Sequence, residues 1–203
     1  MIRTIATTVV MTAFLSAAAN AQELEQITGE PAGKIGKLLA EGFAKLTDLP
    51  VKPKLLADKG TGVKSGERGG FVLPDENLTA DALAKLDKDI VPVGVLFLRG
   101  GAPVSAASTV DAPKMFSFDV SVEDKTAAVT ALPLAVGKVA GKPVLLVYGK
   151  AKEPVVVTNL DAIDESPTLP MEVEVFGLGD GRANVILKLA GKLRGAVMVV
   201  VVD

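Results

Sequence analysis

Three carboxylates lie close together in the stretch Asp161-Ala-Ile-Asp164-Glu165-Ser-Pro, and Asp180 follows in a second loop. Carboxylates with loop carbonyls supply the hard oxygen ligands that Ca²⁺ prefers, so Asp161, Asp164 and Glu165 are the metal-ligating candidates. Their spacing matches neither an EF-hand nor a repeat calcium loop, and the ordinary fate of such a cluster is a solvated acidic loop. Two carboxylates can also run glycoside hydrolysis. Sugar sites, however, stack rings on aromatics, and only 4% of this chain is aromatic, with no Trp. A second candidate is the stretch Ser65-Gly-Glu-Arg68-Gly-Gly70, whose glycines would let backbone amides cradle an anion beside Arg68. The plainer reading of that stretch is a connector. Arg99-Gly-Gly, at the end of a long apolar run, is the third candidate.

The absences exclude more than these candidates promise. The chain has no His and no Cys. That removes the usual general base near neutral pH, Ser-His and Cys-His nucleophile pairs, and zinc or copper sites built from imidazole or thiolate. None of Ser65, Ser105, Ser108, Ser117, Ser121 and Ser166 has a Lys three residues on, so a Ser-x-x-Lys acyl-transfer motif is also missing. No Gly-x-Ser-x-Gly, Walker-type or dinucleotide glycine pattern occurs. No catalytic residue and no cofactor is therefore assigned.

Residues 1–21 read as a cleaved signal peptide, with Arg3 as the positive start, an apolar middle, and Ala19-Asn20-Ala21 as the small-x-small cleavage site. Removal takes one positive charge, so the net charge of −2 for the whole chain becomes −3. A mildly acidic chain gives no basic stripe for nucleic acid. Export without any cysteine favours a bacterial periplasmic or extracellular protein over a eukaryotic secreted one. No integral span is expected after cleavage, and a possible partner is another envelope protein.

The elements that must position these residues are mostly strands. Residues 90–98, Ile-Val-Pro-Val-Gly-Val-Leu-Phe-Leu, form an apolar run too short to cross a membrane as a helix, and read as a central strand buried on both faces. Ile35, Leu38, Leu39, Gly42, Phe43 and Leu46 recur at helical spacing after Glu30-Pro31, which predicts an amphipathic helix. Residues 57–70 read as loop and 70–74 as a short strand. Thr79 then caps a short helix over 80–88, giving one hint of a parallel crossover into residues 90–98.

From Arg99 onward no further helix is expected, and about nine strands are counted. Among them Phe116, Phe118, Val120 and Val122 alternate with polar residues, and Pro133 suggests an edge or a bulge. Residues 196–202 read as a final strand buried on both faces, and the recurring Ala-Gly-Lys at 32–34, 140–142 and 190–192 marks turns. The expected fold is mainly β: a two-layer antiparallel sandwich, Ig-like by architectural analogy only, with an N-terminal amphipathic helix and one short inserted helix. Residues 22–60 form the helix and linker, and 61–203 the sandwich. The function expected from these features is a non-enzymatic structural, scaffold or protein-binding role in the bacterial cell envelope. The alternative is a small-ligand or Ca²⁺-binding β-module, and the third is a hydrolase using carboxylates only.

Overall fold

The computed structural model describes residues 24–87, 89–122 and 125–202. The segment read as a signal peptide lies outside them. In chain order the elements are β1 (Glu25–Ile27), α1 (Gly29–Phe43), β2 (Thr61–Ser65), β3 (Arg68–Pro74), α2 (Ala80–Ala84), β4 (Val91–Arg99), β5 (Gly101–Ser105), β6 (Ser108–Thr109), β7 (Phe116–Val122), β8 (Lys125–Val139), β9 (Lys142–Tyr148), β10 (Pro154–Asn159), β11 (Asp161–Ala162), β12 (Met171–Gly179), β13 (Arg182–Leu189) and β14 (Leu193–Val201). The first sheet runs β1-β2-β3-β4-β8-β9-β10, with β7 also on β8; the second runs β12-β13-β14-β5-β6, with β11 also on β14. Every pairing is antiparallel, and the two open sheets make the expected β-sandwich.

The apolar run at 90–98 lies in β4, the middle of the first sheet, and is buried from Val93 to Leu98. Successive side chains of a strand point to opposite faces. Leu96 and Leu98 accordingly join the core between the sheets, with Leu132, Leu134, Val173, Val185 and Leu187. Val95 and Phe97 join a second core on the outer face, where α1 packs through Ala32, Leu39 and Phe43. Phe97 meets Phe43 and Phe118 edge-on, each with ring centroids 6.2 Å apart, a favoured geometry for aromatic pairs. Further along that face Val51 covers Ala135, Val144, Leu146 and Tyr148.

Several expectations need correction. Residues 57–70 are not loop: they hold β2 and the start of β3, joined by the two-residue turn Gly66-Glu67. Only the first of these, Gly66, has a left-handed φ (59°), the pattern of a type II′ hairpin. The link from β3 to β4 is no parallel crossover, because the two strands pair antiparallel with Phe71 opposite Phe97. The helix after Thr79 stops at Ala84, not Lys88. Thr79 does cap it, accepting from the Ala82 amide at 3.1 Å, and beyond its end Lys138 Nζ donates to the Leu86 carbonyl at 2.6 Å.

Pro133 does not sit at an edge but inside the 15-residue strand β8. It falls in the gap between Ala131, where pairing with β7 stops, and Leu134, where pairing with β9 begins. A residue without an amide hydrogen is least costly where one side of the ladder is unpaired. Ala32-Gly-Lys34 lies in α1 and marks no turn. The Ala-Gly pairs at 140–141 and 190–191 do turn the chain, all four residues with positive φ. Finally, β14 is buried on one face only, with Arg194 and Met198 exposed on the other.

The glycines of α1 separate helix propensity from packing. A Cβ on Gly33 would meet nothing within 4 Å, whereas one on Gly36 would stand 2.1 Å from the Ala57 carbonyl oxygen. Gly33→Ala is expected to raise stability by about 0.5–1 kcal/mol through helix propensity alone. Gly36→Ala is expected to lower it by about 1–3 kcal/mol despite the same propensity gain, because the backbone of α1 must move off the 57–59 turn. Urea unfolding of the two variants beside the parent checks both signs.

Candidate functional site

An apolar concavity lies between α1 and one end of the first sheet. Its volume is about 320 Å³, at the lower end of the range for small-molecule pockets. Ile35, Leu38 and Leu39 of α1 form one wall and Ile27 of β1 flanks them. Phe71, Phe97, Val120, Ala127 and Val129 form the sheet side. These apolar residues come together because β3 starts, β4 ends, β7 ends and β8 starts at the same end of the sheet. Among the described residues no buried side-chain nitrogen or oxygen lacks a hydrogen-bond partner. Any polar recognition therefore falls to the rim.

The rim is charged. Lys64, Arg68, Arg99 and Lys125 line the cavity, with Glu67 among them. The turn Gly66-Glu67 and the turn after Arg99 sit side by side: a Cβ on Gly100 would stand 2.9 Å from Cγ of Arg68, so the missing side chain there gives the Arg68 stem its path. Arg99 meets Glu67 at 3.4 Å and Lys64 meets Glu25 at 3.1 Å. The fold thus brings together two of the three sequence candidates, Ser65–Gly70 and Arg99-Gly-Gly, which are separated by about thirty residues of chain. It does so through the antiparallel rung joining Gly69 to Arg99.

The acidic candidates are elsewhere and do not converge. Asp161 lies in β11 opposite Arg194, Asp164 is ion-paired with Lys192, and Glu165 reaches Lys188 at 3.0 Å. Asp180 occupies the β12–β13 turn. Among the described residues no group of three or more carboxylates is placed to hold a metal ion. The Lys192 ammonium, by hydrogen bond and then by charge, holds the Asp164 carboxyl below the usual carboxylate range. The loop is thereby tied to the sheet by lysines rather than gathered round an ion.

The buried carboxylate Asp75 is structural as well. It accepts from the Lys54 amide at 2.6 Å and the Asn77 amide at 2.8 Å, fixing the 50s segment against the end of β3.

Sequence reasoning missed Ile27, Val120, Lys125 and Ala127 as pocket residues. Val120 carried the signature of an alternating strand, which says that it is buried but not whether anything fills the space before it. No protein-family model, curated protein or solved structure matches this chain.

Lys188 gives a pH test of the acidic loop. Its side chain is mostly covered and pairs with Glu174 at 2.9 Å as well as with Glu165. The hydrogen bonds that Lys188 donates to Glu174 and then to Glu165 raise its pKa above the ordinary lysine value. Stability from a raised group is fully present below the unfolded pKa, about 10.4 for lysine, and is lost as pH rises through the folded value. Lys188→Met is expected to cost up to about 1 kcal/mol at pH 7. Its deficit against the parent should shrink as pH rises above about 10.4, followed by urea unfolding at increasing pH.

Proposed function

We propose that the protein is a non-enzymatic ligand-binding β-sandwich, exported to the bacterial periplasm or exterior, which holds a small apolar molecule between α1 and the first sheet. The observation that carries this reading is the cavity itself: about 320 Å³ lined by Ile, Leu, Val and Phe and opening at a rim of charge. Burying apolar ligand surface there would contribute about 25 cal/mol per Å² removed from water. Lys, Arg, Asp, Glu and the single Tyr148 are the titratable side chains left to a chain without His or Cys, and of the carboxylates Asp164, Glu165 and Glu174 sit in ion pairs while Asp75 holds backbone. Binding without turnover is the role these residues support best.

A protein-binding scaffold is the second reading. It is favoured by the outer face of the second sheet, where Phe176 is 56% exposed and Met198 lies on the same rung, with Asn184 between them.

Two measurements test the proposal. Decan-1-ol, a neutral ligand, should raise the melting temperature of the purified protein. At a hundredfold excess over the dissociation constant mass action gives about 2.7 kcal/mol, or roughly 5–10 °C for a chain of this size. Ala127→Trp, which fills the cavity, should abolish the shift. No shift in the parent would leave the scaffold reading in its place. For export, Edman sequencing of the protein recovered from the cell envelope should begin at Gln22; a start at Met1 would remove the localisation from the proposal.

A further inference from the structure

We propose that the outer face of the second sheet is a self-association surface, covered by the same face of a second copy of this chain across a two-fold axis that runs along β13. The face belongs to the other sheet from the cavity, so the inference does not rest on the ligand-binding reading. Apolar exposure is the first argument. The outward side chains of β12, β13 and β14 fall into three rows: Glu172, Lys188 and Arg194; Glu174, Ile186 and Ala196; Phe176, Asn184 and Met198. Phe176 is 56% and Met198 38% exposed, and Ile186, Ala196 and Val200 are half-buried beside them. Apolar residues scattered singly on a surface need no explanation, but a contiguous group rimmed by charge marks an interface.

Shape names the occupant. Phe176 projects from β12, and two strands away the face dips into a hollow of about 370 Å³ lined by Val104, Met198 and Val200, with Arg182 at its border. A two-fold axis lying in the interface along the intervening β13 exchanges β12 with β14. It seats Phe176 of each copy on Met198 of the other, at the mouth of the hollow, in a sulfur–ring contact. One rotation satisfies both projections, so the pair is closed and does not extend into a filament. An axis parallel to the strands also keeps the two sheets aligned, a preferred way for sheet faces to pack.

Charge fixes the register. The same rotation sets Glu172 over the second copy's Arg194, since these two end one row on either side of Lys188. Arg194 has Asp161 opposite it in β11 but makes no ion pair among the described residues. Lys188 lies on the axis with its own carboxylates, Glu174 and Glu165. Arg182, exposed at the end of β13, has solvent to turn into. An axis between β13 and β14 would instead set Lys188 over Arg194, and like charges disfavour that pairing. Four strands about 4.8 Å apart and seven residues of about 3.4 Å make a patch of roughly 19 by 24 Å. Two such patches lie near the lower size limit for a specific interface, so the dimer is expected to be weak and concentration-dependent.

Sedimentation equilibrium of the purified protein from about 1 µM to about 500 µM should show a monomer–dimer equilibrium with no larger species. Phe176→Ser should raise the dissociation constant at least about tenfold. Glu172→Arg and Arg194→Glu should each raise it by about tenfold, because each makes two like-charge contacts per dimer, and the double variant should return it to near the parental value. Recovery in the double variant would not arise from a general loss of fold.

A monomer at every concentration would overturn the inference and leave the face to a different protein. A dimer indifferent to Phe176→Ser would place the contact on another surface. A dimer weakened by Phe176→Ser but further weakened in the double charge variant would overturn the axis along β13.

Discussion

The first sheet carries apolar side chains on both faces, so the second sheet can shield only half of what must be kept from water. Phe71, Val95, Phe97, Phe116 and Val129 face the other way, and α1 is laid over them. Covering a sheet with a helix requires close approach along the line of contact. In α1 that approach depends on Gly36, next to the Ala57 carbonyl, and Gly42, where a Cβ would stand 2.1 Å from the Phe118 ring. The glycines weaken the isolated helix by roughly 1 kcal/mol each relative to Ala. They permit a packed interface that more than offsets this, since apolar burial rather than propensity holds most helices in proteins. Where the cover meets the strand ends, the walls diverge, and the cavity with its charged rim occupies that end of the interface.

The second sheet solves a simpler problem. Along β13 and β14 buried and more accessible residues alternate, with Val185, Leu187, Leu189, Leu193 and Val197 turned to the core. The opposite face meets solvent and is knitted by charge: Lys188 bridges Glu174 within the sheet and Glu165 in the preceding loop. Glu172 accepts from the Thr168 amide and hydroxyl at 3.0 and 2.9 Å, so the same loop is fastened at both its ends. The acidic stretch that looks from the sequence like an ion site is a stitched border of this sheet. Its carboxylates are used one by one.

The fold class was legible because two signals were strong. The unbroken apolar run in β4 demands cover on both sides, and the alternation in β7 demands cover on one. What was not legible had local signals that spoke against the tertiary outcome. Thr61-Gly-Val-Lys-Ser65 reads as loop through its glycine and its flanking Gly-rich segments, yet it pairs with β1 on one side and β3 on the other. Pro133 speaks for an edge, yet it fits a central strand because neighbouring β7 and β9 leave a gap at its position. Five valines near the C-terminus speak for burial on both faces, though among the described residues no third layer covers the far side of β14. The rim was half legible: Arg68 and Arg99 stood out among glycines, but only the β3–β4 register shows that they share one opening, and register is a long-range property.

The composition also limits how such a site could be regulated. Histidine is the side chain whose ordinary pKa places its charge change near neutrality, and the chain has none. The rim holds Lys64, Arg68, Arg99 and Lys125 together with Glu67, and charges exposed at a rim are screened over about 10 Å at 0.1 M salt. The apolar walls are indifferent to salt at that concentration. On the proposed ligand-binding reading, the apolar walls rather than the rim would set whether a molecule is held.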